Sequence, residues 1–152
     1  MDVTITVGTE NDLPDVLDLI KGLAEFEKQP DAVTNSVDQM KQDSLYFDFF
    51  IARHNSKIVG MSLYYYTYST WVGKSLYLED LYVLPEYRGK GIGSALLKKT
   101  ISVARTQSCN RMRWQVLDWN TKAQKLYERL GAVIDKKWYN CDLSRDDIER
   151  LG

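Results

Sequence analysis

Two cysteines and one histidine are all that 152 residues offer toward disulfide or metal chemistry. Cys109 and Cys141 lie far apart, and neither a C-x-x-C pair nor a Cys/His ligand spacing occurs. A disulfide framework and a zinc site are therefore not expected, and a reducing, cytoplasmic setting is. The lone His54 sits in Arg53-His54-Asn55-Ser56-Lys57, between two apolar runs, and reads as a solvated turn residue rather than a catalyst. An excess of either charge is also missing: 20 Lys and Arg stand against 21 Asp and Glu. No attraction to nucleic acid or to an anionic membrane is indicated. No apolar run approaches the ~20 residues that span a bilayer. Met1-Asp2-Val3-Thr4-Ile5 has neither the basic region nor the cleavage site of a signal peptide. Repeats, low-complexity tracts and linkers are absent too, and the length suits a single domain, residues 1–152, around one core.

What is present is a regular succession of elements. Val3 to Val7 alternates as a strand and stops at Gly8-Thr9. Thr9 with Asp12 forms a capping-box-like start, and Leu13, Val16, Leu17, Ile20, Leu23 and Ala24 recur at helical spacing until Glu25 to Lys28. A shorter helix is predicted over Ser36 to Gln42. Phe47 to Arg53, Lys57 to Ser69 and Ser75 to Leu84 read as an antiparallel meander with short turns. Ile92 to about Thr106 is a helix with Ile92, Leu96, Leu97, Ile101 and Ala104 inward, and Arg111 to Leu117 is a strand. Asn120 or Thr121 caps a helix reaching Leu130, stopped by Gly131. Ala132-Val133-Ile134 and Lys137 to Leu143 read as two short strands, and Ser144 to Leu151 as a last helical turn or two. The order predicts a mixed α/β (α+β) domain with a central, mostly antiparallel sheet flanked by helices.

The most informative stretch runs from Leu76 to Ser94. Its first half, Leu76-Tyr77-Leu78-Glu79-Asp80-Leu81-Tyr82-Val83-Leu84, is a strand; Pro85-Glu86-Tyr87-Arg88-Gly89-Lys90-Gly91-Ile92-Gly93-Ser94 then packs three glycines into five positions before a helix. Strand, glycine-rich loop and helix start make an anion site. Glycines admit positive φ and close approach, consecutive N–H groups converge, and the helix dipole adds partial positive charge. Arg88 and Lys90 add full charges, so a phosphate or pyrophosphate is the natural guest. A P-loop requires Ser or Thr after Gly-Lys, whereas Lys90 is followed by Gly91. The dinucleotide fingerprint requires a sixth-position glycine and an acid about 20 residues on. Here Ser94 holds the sixth position, and no acid lies between Glu86 and Asp118.

What fits is Arg88-Gly89-Lys90-Gly91-Ile92-Gly93. With it, the chain resembles the GCN5-related N-acetyltransferase (GNAT) superfamily, and its element order does so over essentially the whole length. The resemblance implies a splayed central sheet and acetyl-CoA as cofactor. Its pyrophosphate would be held by Arg88, Gly89, Lys90, Gly91, Ile92, Gly93 and Ser94. A bulge in the preceding strand would free the N–H groups of Leu81, Tyr82 and Val83. The second family signature is Asn120 followed by a helix ending in Tyr127-Glu128-Arg129-Leu130-Gly131-Ala132. It implies that Asn120, Lys122, Ala123 and Tyr127 lie beside the cofactor, with Tyr127 as the acid for the departing thiolate. Acyl transfer to an amine also needs the amine unprotonated, although a free alkylamine has a pKa of ~10. A carboxylate beside the cofactor serves this. Glu79 and Asp80 are candidates; strict alternation would point them to opposite faces, and the resemblance favours Glu79.

Five stretches resemble, more narrowly, the spermidine/spermine (diamine) acetyltransferase family and most of all its thialysine-acetylating branch. They are Leu23-Ala24-Glu25-Phe26-Glu27-Lys28, Tyr65 to Lys74, Tyr77-Leu78-Glu79-Asp80, Pro85 to Gly89 and Leu117-Asp118-Trp119-Asn120. A diamine needs one carboxylate for its remote ammonium and another for the reacting amine. Glu27 would take the first role and Glu79 the second, with Asp80 beside them and Phe26 and Trp71 as apolar or cation–π walls. Polyamine-acetylating relatives tend to carry an acid before the tryptophan, where this chain has Ser69-Thr70. A short diamine or lysine analogue such as thialysine is therefore favoured over spermine. The resemblance also implies a homodimer to which the tail from Trp138 to Leu143 contributes. Two other readings fit the same motifs: a non-catalytic sensor of coenzyme A thioesters, and an acetyltransferase of peptide or protein amines.

Overall fold

The computed structural model describes residues 2–152. The chain divides into two compact units, Met1–Gln115 and Val116–Gly152.

The first unit is built on a five-stranded sheet in sequence order: β1 (Thr4–Val7), β2 (Asp48–His54), β3 (Lys57–Ser69), β4 (Gly73–Val83) and β5 (Arg111–Arg113). The first three pairings are antiparallel. The last, Ser75–Tyr77 against Arg111–Arg113, is parallel. Helix α1 (Leu13–Phe26) covers one face and α3 (Ile92–Thr106) the other, while α2 (Val37–Gln42) lies between α1 and β2 in sequence. Alternation along β2 divides the core. Phe49 and Ile51 join Leu13, Val16, Leu17, Met61, Leu63 and Tyr82 on the α1 face. Phe50 and Ala52 join Val59, Tyr64, Leu76, Val83, Ile92 and Leu96 on the α3 face. Each fully buried side chain of this size contributes roughly 1.5–3 kcal/mol.

Local chemistry sets the helix boundaries. Thr9 and Asp12 form the capping box before α1, and Asp12 also pairs with Arg53 of β2. Ser36 caps α2 through the Gln39 N–H at 3.1 Å. Near its end α1 passes close over β4, where Gly22 leaves room for the Tyr82 ring. A Cβ on Gly22 would lie 2.9 Å from the Tyr82 hydroxyl. That approach brings Phe26 and Glu27, one turn later, toward the end of β4.

One irregularity interrupts the β3–β4 ladder. Tyr64 faces Leu78 and Leu63 faces Asp80, so Glu79 is an extra residue. This is a β-bulge, and the strand changes phase across it. Leu76 and Leu78 precede it on the α3 face, as Leu81 and Val83 follow it, while Tyr77, Glu79, Asp80 and Tyr82 share the α1 face. The opposite-face placement of Glu79 and Asp80 expected from strict alternation is thus corrected.

Two further expectations change. Ile101 is 39% exposed, because Thr100 takes the inward position on α3. Thr100 is fully buried and donates to Ser62 Oγ or the Leu96 carbonyl, each at 3.0 Å. Apolar periodicity does not register a satisfied threonine. β5 ends at Arg113 instead of Leu117, so its pairing with β4 stops at Tyr77.

The second unit contains α4 (Thr121–Arg129) and α5 (Arg145–Leu151). Asn120 caps α4 through the Ala123 N–H at 3.3 Å. Gly131 closes the helix at φ 88°, while the Ala132 N–H reaches the Tyr127 carbonyl at 3.1 Å. Ser144 and Asp147 form the capping box of α5. The two short strands expected at 132–134 and 137–143 are not formed. Asp135 folds this stretch back on itself instead, accepting from the Lys137 N–H at 2.9 Å and the Trp138 indole at 3.1 Å. Among the described residues no helix is long and apolar enough to cross a membrane.

Candidate active site

The glycine-rich loop leaves β4 through a single turn of 3₁₀ helix, Pro85–Tyr87, and enters α3 at Gly91. Gly89 and Gly91 hold φ of 74° and 80°, a region costly for residues with a side chain. A Cβ at either would meet nothing within 4 Å, so the space above the loop is open. The first intrahelical bond of α3 runs from the Ala95 N–H to the Gly91 carbonyl. The N–H groups of Ile92, Gly93 and Ser94 therefore have no carbonyl within the helix. Gly91 has no side chain to cap them, and no acid lies in the first turn. Three converging donors at a positive helix end suit a phosphate, and the open cradle accommodates the pyrophosphate of a nucleotide-linked carrier.

Arg88 ties this loop to the end of α1. Its Nε donates to the Val83 carbonyl at 2.8 Å. Its guanidinium lies over the rings of Phe26 and Tyr82, 5.0 Å and 5.2 Å from their centroids. Such stacking is a usual role for arginine. Lys90 is held by the Glu86 carbonyl at 3.0 Å and lies over the Tyr87 ring. Beyond Tyr77, β4 has no β5 neighbour. Leu81, Tyr82 and Val83 thus pair on the β3 side alone, so backbone groups aimed the other way are left to other partners.

Beside the stacked arginine three carboxylates gather. Glu27, just past the last residue of α1, is half-buried, and burial followed by the nearby Glu79 charge raises its pKa. Asp80 is pushed up to about 7, mainly by burial, then by the charges of Glu79 and Glu27. Glu79, the bulge residue, is exposed and accepts a hydrogen bond of 2.7 Å from the Tyr65 hydroxyl. Tyr77, the cross-strand partner of Tyr65, has its phenol raised by burial and by Glu79, with Arg113 opposing. Packed carboxylates cannot all ionise freely at neutral pH. They can bind a cation, and one of them titrates where a proton acceptor is useful.

In the second unit Tyr127 is half-buried on α4, and burial raises its phenol above its ordinary value. Asn120 forms the cap of the same helix; Lys122 lies exposed and Ala123 half-buried in its first turn.

A family profile described as the acetyltransferase (GNAT) family matches residues 13–132. The chain belongs to that family. It is similar to the thialysine N-epsilon-acetyltransferase of Sus scrofa, with 43% identity over 142 residues, covering 86% of this chain and 84% of that protein. It is 34% identical over 151 residues to the spermidine/spermine N(1)-acetyltransferase-like protein 1 of Homo sapiens, covering 90% of this chain but 22% of that longer protein. Among solved structures, an acetyltransferase of Trypanosoma brucei superposes with a TM-score of 0.75 at 24% identity, covering 93% of this chain and all of that one. At that identity the likeness speaks for the fold.

Within this GNAT acetyltransferase, the structure brings together Phe26, Glu27, Glu79, Asp80, Tyr82 and Arg88. The loop residues Gly89 to Ser94 follow directly on the same strand. Trp71 is not brought to this group. It lies at the tip of the β3–β4 hairpin, 83% exposed, beyond the Ser69–Gly73 pair. That pair is four steps, roughly 13 Å, along the ladder from Tyr65 and Tyr77. Two features differ from or go beyond the sequence reading: the bulge expected at Leu81 to Val83 lies at Glu79, and Tyr65 contacts Glu79. The bulge does leave a mark in the sequence, a slip of one residue between the apolar pair Leu76/Leu78 and the pair Leu81/Val83. Tyr65 stands among three consecutive tyrosines, and nothing in composition distinguishes it from its neighbours.

Proposed function

We propose that this acetyltransferase transfers an acetyl group from acetyl-CoA to a primary amine of a small diamine-like substrate, thialysine or a comparable lysine analogue. The observation that carries the reading is the gathering of Glu27, Glu79 and Asp80 on one sheet face beside an open backbone anion cradle. The relatives named for thialysine and spermidine/spermine acetylation support the same substrate class. A substrate with two ammonium groups matches a site with three carboxylates better than a monoamine does. The family profile crosses from the first unit into the second, which supports a single acetyltransferase domain over residues 1–152.

Acetyl-CoA supplies the acyl group as an activated thioester. The N–H groups of Ile92, Gly93 and Ser94, with Lys90, would hold the carrier's pyrophosphate, and the resemblance assigns further cofactor contacts to Asn120, Lys122 and Ala123. Those N–H groups among Leu81, Tyr82 and Val83 that point away from β3 would offer donors to the thioester carbonyl oxygen as negative charge develops there. Glu27 and Glu79 hold the substrate's ammonium groups. Asp80 and Glu79 act as a coupled pair: Asp80, tuned near neutrality, takes the proton from the reacting nitrogen, and the adjacent Glu79 charge keeps it basic. The resemblance gives Tyr127 the role of acid for the leaving thiolate, and burial raises its phenol, which suits a group that carries a proton at Oη. The largely exposed Trp138 and Tyr139 support the homodimer that the resemblance implies.

The test is product formation from acetyl-CoA with thialysine, lysine, spermidine, putrescine and a lysine-containing peptide side by side. Thialysine and the short diamines should be turned over fastest. Tyr127→Phe should lower kcat roughly 100-fold while acetyl-CoA affinity by calorimetry stays within about twofold. Tight acetyl-CoA binding with no product from any amine would overturn the reading.

A further inference from the structure

The tyrosine run of β3 places one hydroxyl against the acid cluster. Tyr65 and Tyr77 are direct cross-strand partners, with rings stacked at 5.4 Å and inclined by 24°. The stack fixes the Tyr65 ring, and its hydroxyl donates to Glu79 Oε2 at 2.7 Å. An exposed glutamate at a bulge otherwise has several rotamers open to it, and holding it in one carries an entropy cost. The hydrogen bond occupies one carboxylate oxygen and leaves Oε1 for a ligand.

We propose that Tyr65 is a positioning residue for the amine substrate: through Glu79 it holds one carboxylate oxygen fixed and presents the other to the substrate's ammonium. This rests on the amine-binding role proposed for Glu79. Around Glu79 stand Glu27 from the end of α1, Asp80 from β4 and the phenol of Tyr77, while the Arg88 guanidinium of the same group bonds the Val83 carbonyl and stacks on Phe26 and Tyr82. Among these neighbours Tyr65 is the one that donates to the Glu79 carboxylate. Burial, and after it the bond to Glu79, raises the phenol of Tyr65, so it remains a donor across the working pH range.

Tyr65→Phe keeps the stacked ring and deletes only the hydroxyl. It should raise KM for thialysine roughly tenfold with kcat changed much less, and leave KM for acetyl-CoA and the melting temperature unchanged. Introduced on top of Glu79→Ala, it should change nothing further, because its partner is already gone. An equal loss in both backgrounds, or a lowered melting temperature with both KM values raised, overturns the proposal and makes Tyr65 merely structural. If the unaltered protein acetylates none of these amines, the substrate reading fails, and the mobility of the Glu79 side chain by NMR relaxation decides for Tyr65 alone. A Glu79 carboxylate that becomes more mobile in Tyr65→Phe supports the positioning; unchanged mobility ends it.

Discussion

The two halves of the site sit at successive points of one strand and its exit, yet they are made of different material. The cradle from Gly89 to Ser94 is a backbone device. Its donors are main-chain N–H groups, and its essential residues are those with no side chain. The cluster of Glu27, Glu79 and Asp80 is a side-chain device. The backbone contributes one bulge, and everything else is charge crowded into partial burial. A backbone device is broken by adding atoms, whereas a side-chain device is retuned by removing charge. The same strand can therefore hold an anion and a cation at neighbouring points without the two sites cancelling each other.

Four substitutions probe that contrast. The largest effect should come from Gly91→Val, which forces a β-branched residue into φ 80° and fills the cradle. We expect kcat/KM for acetyl-CoA to fall by at least about 1000-fold, with binding lost in calorimetry. A mild loss would mean that side chains, not the backbone, hold the carrier.

Asp80→Asn should lower kcat roughly 100-fold while making the fold more stable. Asp80 has its native pKa raised to about 7 from 3.8. Well below pH 3.8 it is protonated in both states and costs nothing. As pH rises from there toward 7 the unfolded chain ionises first, so native stability declines; above pH 7 the full cost, at most about 4 kcal/mol, is present. The gain in melting temperature from Asp80→Asn should thus be absent well below pH 3.8, grow toward pH 7 and then level off. A gain that is constant with pH would rule out the raised carboxyl as its cause.

Glu27→Gln should act more gently, raising KM for a diamine about fivefold and less for a monoamine. It should also lower the Asp80 midpoint by removing one neighbouring charge, seen as an acid limb of kcat moved to lower pH. Lys90→Ala should matter least, raising KM for acetyl-CoA about two- to threefold, with a difference that shrinks in high salt. If Lys90→Ala rivals Gly91→Val, the division between backbone and side-chain devices does not hold.

The same division explains what could be read from the residues alone. The cradle was legible because positive φ constrains residue type directly, so Gly89 and Gly91 mark their own geometry. The strands of the meander and the extent of α3 were legible through period, and Asn120 and Gly131 through capping chemistry. The acid cluster was legible as a set of residues but not as an arrangement. Glu27 at a helix end looks like any solvated acid until Gly22 lets α1 settle onto Tyr82. Glu79 and Asp80 look like opposite-face neighbours until the β3 register exposes the extra residue. Apolar periodicity passes over Thr100, because a hydroxyl satisfied by Ser62 behaves as core. Residues 132–134 and 137–143 carry strand-like apolar and aromatic residues, but composition alone supplies no neighbouring strand, and Asp135 takes the local backbone into a turn.

Take Glu79 out of β4, and Leu78 and Asp80 would follow one another as an ordinary pair opposite Tyr64 and Leu63, with no kink between them. The hairpin would be tidier, and it would carry a single acid on that side. One surplus residue in an otherwise plain ribbon thus doubles the local charge without moving the leucines before it or the aliphatics after it. A short insertion can in this way give a sheet a new chemical surface and leave its interior untouched.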